Sequence, residues 1–130
     1  MTGFTIGELN KRTGVNSETI RYYEKIGLLP EPRRSAAGYR QYREEHVRRL
    51  KFIRRGRALG FGIEDIRALL RLADHRDGDC AEADILTAKH LKEVEQRIEE
   101  LSRLRDSLRA LADCRESAVA QCRVIDTLAG

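Results

Sequence analysis

A chain of 130 residues is long enough for one domain, or for one small domain joined to an accessory element. Its formal charge of +4 is unevenly spread: residues 1–76 hold 17 Lys/Arg against 9 Asp/Glu, and residues 77–130 hold 8 against 12. No apolar run approaches the ~18 residues of a membrane span, and MTGFTIGELNKRTG lacks an apolar signal core, so a cytoplasmic protein without a membrane partner is expected.

The basic half has the charge of a polyanion-binding surface. Its first predicted element lies in FTIGELNKRTG, where Thr5 followed three residues later by Glu8 is a capping-box pattern and Ile6 and Leu9 give an apolar side. Gly14 stops it. Asn16 or Ser17 then caps a second helix, SETIRYYEKI, with Gly27 as the residue just past its end. Helix, short glycine-containing turn, helix is the outline of a helix-turn-helix. The first turn of the second helix carries Ser17, Glu18 and Thr19, short polar groups that reach base edges or phosphates. Arg21 follows with a fork suited to phosphate or guanine, and Tyr22 and Tyr23 add packing area and hydroxyls. An ordinary amphipathic helix with an exposed polar face has the same composition.

After Pro30, the stretch PEPRRSAAGYRQYREEHV predicts a short β-hairpin turning at Gly38. Such a wing lies over phosphates, and its candidate contacts are Arg33, Arg34, Tyr39, Arg40 and Arg43, with Thr5 added from the first helix cap. Next comes a second helix pair. Val47, Leu50, Phe52 or Ile53, and Leu59 form the apolar stripe of its first member, among many arginines; Ile63, Ile66, Leu69, Leu70 and Leu72 form that of the second.

The stretches FTIGELNKRTGVNSETIRYYEKIGLL, RRSAAGYRQY and LKFIRRGRALGFGIEDIRALL, in order across residues 4–72, resemble the DNA-binding half of the MerR family of bacterial transcription regulators. The resemblance implies a winged helix-turn-helix with RYYE on the recognition helix. It also implies an effector-controlled dimer that remodels double-stranded promoter DNA so that RNA polymerase can start.

From Ala83 to Ala112 there is no Gly or Pro, and Leu91, Val94, Ile98, Leu101, Leu104, Leu108 and Leu111 recur in steps of three and four. A narrow apolar seam on one long helix needs a partner helix, and a second copy is the most economical one, so a coiled-coil homodimer is expected. The expected fold is therefore mainly α. Residues 1–76 form a winged helix-turn-helix plus a second helix pair; residues 77–112 form a long antiparallel coiled-coil dimerisation helix; residues 113–130 form a metal-binding loop and short terminal helix.

The three cysteines are Cys80, Cys114 and Cys122, an odd count that argues against a disulfide framework. Cys80 and Cys114 are 34 positions apart, or about 45–50 Å along a helix, too far to share a ligand within one chain. Antiparallel helices would bring Cys80 of one copy level with Cys114 and Cys122 of the other. Three thiolates suit a soft ion such as Hg(II), Cd(II), Pb(II) or Zn(II), whereas Cu(I) is satisfied by two. The family resemblance implies a divalent-ion sensor from a cysteine at this helix start. The seven residues between Cys114 and Cys122 are also the length seen in copper-sensing members, which keeps a Cu(I)/Ag(I) regulator open. A thiol redox switch through Cys114 and Cys122, and three merely structural cysteines, are further alternatives.

His75 is either a fourth ligand or a solvated loop residue, and His46 and His90 read as surface residues. The tail RVIDTLAG has Val124, Ile125 and Leu128 on one helical side, suited to covering the metal loop or transmitting its occupancy to the DNA-binding half. An architectural DNA-binding protein is the rival of another class. No nucleophile and base, no phosphate loop and no open metal site can be assembled, so no enzyme is expected.

Overall fold

The computed structural model describes residues 3–112 and 122–130, which divide between two compact units, residues 1–83 and 84–130. The first unit begins with helix α1 (Ile6–Thr13), and its predicted capping box is formed. Thr5 Oγ1 accepts the Glu8 N–H at 3.1 Å, and Glu8 Oε1 accepts the Thr5 N–H at 3.1 Å, which satisfies two otherwise orphaned donors. Gly14 ends the helix at φ 74°, where its N–H donates to the Asn10 carbonyl at 2.7 Å. The buried Thr13 hydroxyl donates to the Leu9 carbonyl and accepts the Val15 N–H, sealing the turn from inside.

Helix α2 (Ser17–Lys25) is capped by Asn16, whose Oδ1 accepts the Thr19 N–H at 2.8 Å. Its C-terminus is a Schellman motif: Leu28 N–H reaches the Tyr23 carbonyl at 2.9 Å and Gly27 N–H the Glu24 carbonyl at 3.2 Å. The motif turns Leu28 and Leu29 into the core, where each is 1% exposed.

The predicted hairpin is two residues deep on each side. Strand β1 (Arg33–Arg34) pairs antiparallel with β2 (Arg40–Gln41), Arg33 opposite Gln41 and Arg34 opposite Arg40, with Gly38 in the turn. Phe4 and Tyr42 exchange both backbone hydrogen bonds, 2.7 and 2.9 Å, and so tie the segment before α1 to the base of the hairpin.

Helices α3 (Glu44–Ala58) and α4 (Ile63–Asp74) complete the unit. Val47, Leu50 and Ile53 face inward as their spacing predicts; of the two alternatives, Ile53 is fully buried and Phe52 half-buried. Leu59 departs from the expected stripe. It is 70% exposed because α3 ends at Ala58 and the chain turns there. One apolar cluster gathers Leu9, Ile20, Leu29, Tyr42, Val47 and Leu50, another Leu28, Ile53, Phe61, Ile66 and Leu70, and Tyr23 packs against both. Each fully buried aliphatic side chain contributes roughly 1.5–3 kcal/mol.

His46 also departs from the sequence expectation: it is buried, not a surface residue. Its Nδ1 accepts the Arg43 N–H at 3.0 Å, which leaves Nε2 to donate to the Pro30 carbonyl at 3.2 Å. One imidazole thereby holds the residue before the hairpin segment and the residue after it.

In the second unit, most of helix α5 (Ala81–Ala112) runs as a single element whose 32 residues span about 48 Å. None of its residues is buried in the single chain, and Leu91, Ile98, Leu101, Leu104 and Leu108 are all more than half exposed. His90 is half-buried rather than fully exposed, with Nδ1 3.9 Å from Glu93. Helix α6 (Arg123–Ala129) is attached through Arg123, which donates to the Ala110 carbonyl at 3.0 Å. Among the described residues, no helix is long and apolar enough to cross a membrane.

Two predictions follow from these caps. Gly14→Ala forces a side chain into left-handed backbone and sets its Cβ 2.9 Å from Arg54 Nη1. It should cost about 1–2 kcal/mol, read as a lower urea midpoint at unchanged slope. The Thr5 backbone N–H, followed by its hydroxyl, holds the Glu8 carboxyl below its ordinary range. A depressed folded-state value means that this contribution is present above the unfolded value, about 4.3, and is lost as pH falls through the folded one. Carbon NMR titration should show Glu8 ionising below the ordinary glutamate range, and Thr5→Ala should move it upward.

Candidate nucleic-acid interface and thiol positions

Helical geometry sorts the residues of α2. At about 100° per residue, Arg21 and Tyr22 come to the outside, Tyr22 being 51% exposed, while Tyr23 turns inward between the two clusters. The two tyrosine rings sit 6.1 Å apart, tilted by 48°. Glu18 is exposed at the first turn, and Ser17 and Thr19 are half-buried beside it. The Thr19 amide is already used by Asn16.

The hairpin presents Arg33, Arg34 and Tyr39 outward, with Tyr39 74% exposed. Arg34 Nη1 donates to the Gly38 carbonyl at 2.9 Å, so part of this guanidinium braces the turn. Arg40 is half-buried, with Nε 3.5 Å from Glu24 Oε1. Arg43 is exposed just before α3. Thr5 is exposed too, and its hydroxyl is engaged with Glu8 in the capping box.

Charge count alone would have assigned too many arginines to ligand binding. Arg12 makes a bidentate bond to Glu44, 2.7 and 3.1 Å, and lies 4.4 Å from the Phe4 ring centroid. Arg49 pairs with Asp74 at 3.2 Å, Arg54 donates to the Thr13 carbonyl, and Arg57 to the Phe61 carbonyl. These side chains fasten helices and turns to one another. Arg48, Lys51 and Arg55 remain as an exposed row at helical spacing on α3.

Two residues the sequence reading passed over, Tyr42 and Glu24, join α2 to the hairpin. Tyr42 is fully buried, and its hydroxyl donates to Glu24 Oε2 at 2.6 Å. Its ring meets His46 edge-on at 5.3 Å. Burial first, and then the bond to Glu24, push the Tyr42 phenol well above its ordinary range, so it stays a donor. The available signal was strand alternation in YRQY: Arg40 and Tyr42 share one face, and both meet the same carboxylate.

Cys80 is exposed and directly precedes α5, where Asp79 Oδ1 accepts the Ala81 N–H at 3.0 Å. It lines a cleft of the first unit together with His75, Asp79, Phe52 and Leu69. The His75 Nδ1–H donates to the Arg71 carbonyl at 2.8 Å, an arrangement that directs Nε2 away from α4's last turn. Cys122 is half-buried at the start of α6. Cys114 lies outside the described residues. Among the described residues no group of three or more His, Cys, Asp or Glu is gathered around one point. The donor chemistry of Cys80, just before α5, and Cys122, just before α6, fits a soft ion.

The family described as MerR HTH family regulatory protein matches residues 4–73, and that described as MerR, DNA binding matches residues 47–111. A mercuric resistance operon regulatory protein of Bacillus cereus is 41% identical over 127 residues, 96% of each chain. A transcription regulator of Ralstonia metallidurans, solved in complex with lead(II), superposes with a TM-score of 0.85 at 38% identity, covering 96% of this chain and 98% of its own. A dual-function MerR regulator of Bacillus megaterium in complex with mercury(II) gives 0.74 at 35% identity, covering 98% and 100%.

Proposed function

The chain belongs to the MerR family of metal-responsive transcriptional regulators, and on that premise we propose that it binds promoter DNA as a cytoplasmic homodimer and activates transcription by distorting the DNA when a soft divalent ion binds. The ion is of the Hg(II), Cd(II), Pb(II) or Zn(II) class. The observation that carries this reading is the exposed Cys80 at the very start of α5, in the connector that follows α4.

In the reading, α2 contributes Ser17, Glu18, Thr19, Arg21, Tyr22 and, by packing, Tyr23. The hairpin contributes Arg33, Arg34, Tyr39, Arg40 and Arg43, and Thr5 adds its hydroxyl. Side chains on α2 read base edges and those of the hairpin hold phosphates. The exposed apolar stripe of α5 is covered by the same stripe of a second copy. Cys80 with Cys114 and Cys122 of that second copy hold the ion as thiolates. Its binding supplies differential affinity for two states of the dimer, the only way a ligand moves such an equilibrium. Distorting a promoter-length duplex costs on the order of 1–6 kcal/mol, within reach of thiolate coordination. The mercury and lead named with the similar proteins support the divalent class.

A second reading rests on the seven residues between Cys114 and Cys122, which suit two-coordinate Cu(I) or Ag(I) and leave Cys80 without a role. Anaerobic competition titration of the reduced wild type and Cys80→Ser separates the two. Cys80→Ser should weaken Hg(II), Cd(II), Pb(II) and Zn(II) by more than the ~10–100-fold a second-sphere partner accounts for, and spare Cu(I). Tight binding of Cu(I) alone, indifferent to Cys80, would transfer the protein to the monovalent class. Metal-free chemistry, with only a Cys114–Cys122 disulfide controlling DNA binding, would make it a redox sensor. The dimer is tested separately: Ile98→Glu with Leu101→Glu should sediment as a folded monomer.

A further inference from the structure

The hairpin is too short to hold its own direction. Its strands are two residues each, and a two-stranded ribbon of that size has little stability of its own. Something else must fix where Arg33, Arg34 and Tyr39 stand relative to Arg21 and Tyr22 on α2.

Three attachments are available. Phe4 pairs with Tyr42 through the backbone, His46 holds Pro30 and Arg43, and Glu24 binds both Tyr42 and Arg40. The first two connect the hairpin to α1 and α3. Among these polar attachments of the described residues, only the third reaches α2, beside the apolar packing of Tyr42 in the cluster that holds Ile20. The Glu24 side chain is 6% exposed, so its carboxylate depends on those two donors for what water would otherwise supply. The 2.6 Å separation from Tyr42 is in the short range of charge-assisted bonds.

We propose that Glu24 and Tyr42 are positioning residues for DNA recognition: they set the hairpin against α2 so that both engage one duplex, although both are too buried to read the DNA themselves. This rests on the reading of α2 and the hairpin as the DNA interface. With the attachment intact, Arg40 keeps its guanidinium braced on one side by Glu24 while the other side faces the phosphates. With it broken, the hairpin stays tethered at Pro30 and Arg43 but turns as a body about that tether. Its cations then no longer line up with the groove that α2 occupies. The signature is a loss of phosphate contacts without a matching loss of fold.

The test uses the full chain and a duplex that the wild type enriches from a randomised pool. Affinity is measured by fluorescence anisotropy across a salt series, beside thermal unfolding. Tyr42→Phe should weaken binding by about tenfold and reduce the salt slope by about one, the change expected for one lost phosphate contact. Glu24→Gln keeps an acceptor for the phenol and loses the charge opposite Arg40, so it should fall between wild type and Tyr42→Phe. Ile66→Val, in the α3–α4 cluster, should lower the unfolding temperature and leave the salt slope alone.

A Tyr42→Phe protein with wild-type affinity and slope would overturn the proposal. So would an Ile66→Val protein that loses slope as much as Tyr42→Phe does, since the effect would then be stability alone. If the wild type enriches no duplex and shows no salt-dependent binding, the DNA reading itself fails and this proposal with it. Wild-type binding with indifferent variants would sink only the proposal.

Discussion

The burial of Tyr42 is the constraint on which the first unit depends. Its backbone pairs with Phe4, its ring lies among Leu9, Ile20, Val47 and Leu50, its edge meets His46, and its hydroxyl ends on Glu24. A fully buried phenol must find an acceptor or pay a desolvation penalty of ~1–3 kcal/mol. The acceptor here belongs to α2, so meeting that demand also joins the second helix to the hairpin. Few residues in so small a domain contact α1's leading segment, α2, the hairpin and α3 at once.

Much of this unit is legible in the sequence, because the signals are local. Thr5 and Glu8 spell the capping box, the cap of α2 narrows to Asn16 or Ser17, of which Asn16 serves, and Gly27 closes the helix in a Schellman motif. Val47 and Leu50 give the inward face of α3 by helical spacing, whereas the choice of Ile53 over Phe52 and the exposure of Leu59 do not follow from it. What local patterns miss is pairing at long sequence separation. Nothing near His46 announces that its imidazole bridges Pro30 and Arg43, and nothing near Arg54 announces the Thr13 carbonyl 41 residues away. The same limit applies to charge. A count shows a basic half, but only the contacts separate Arg12, Arg49, Arg54 and Arg57, which fasten the fold, from Arg21, Arg33 and Arg43, which stand exposed. The thiol reading was less legible still, since Cys114 lies outside the described residues and the proposed ligand set would draw on two copies.

Helix α5 presents the opposite case, a pattern that is clear and unsatisfied. Its apolar positions step by three, four, three, three, four and three from Leu91 to Leu111. A strict heptad would place the residue after Leu101 at 105, where Arg105 stands, and the apolar residue instead is Leu104. Such a three-residue step locally overwinds a coiled coil, so the seam shifts around the helix near its middle. Two copies brought together antiparallel would place similar irregularities against each other, which favours one register over its neighbours. The stripe gains its roughly 1.5–3 kcal/mol per fully covered side chain only in such a pairing, and an isolated helix of this kind is a marginal object in water.

Under the proposed function, control of DNA by a small ion would have a definite physical form. Cys80 stands between the last turn of α4 and the first turn of α5, six residues past Asp74 and one before Ala81. A ligand fixed there acts on a connector rather than on a packed core, and connectors are where the least energy is needed to change a chain's direction. Moving a two-state population from 1:99 to 99:1 requires only about 5.5 kcal/mol of differential affinity. The connector belongs to the same compact unit as α2 and the hairpin, which are joined by the buried Glu24 carboxylate as well as by apolar packing around Tyr42. Rigidity at Glu24 and compliance at Cys80 are therefore complementary requirements. If the hairpin could turn freely against α2, a displacement imposed at the connector would be absorbed inside the unit; under the proposed function, a locked joint would let the unit move as one piece and carry that displacement to the DNA.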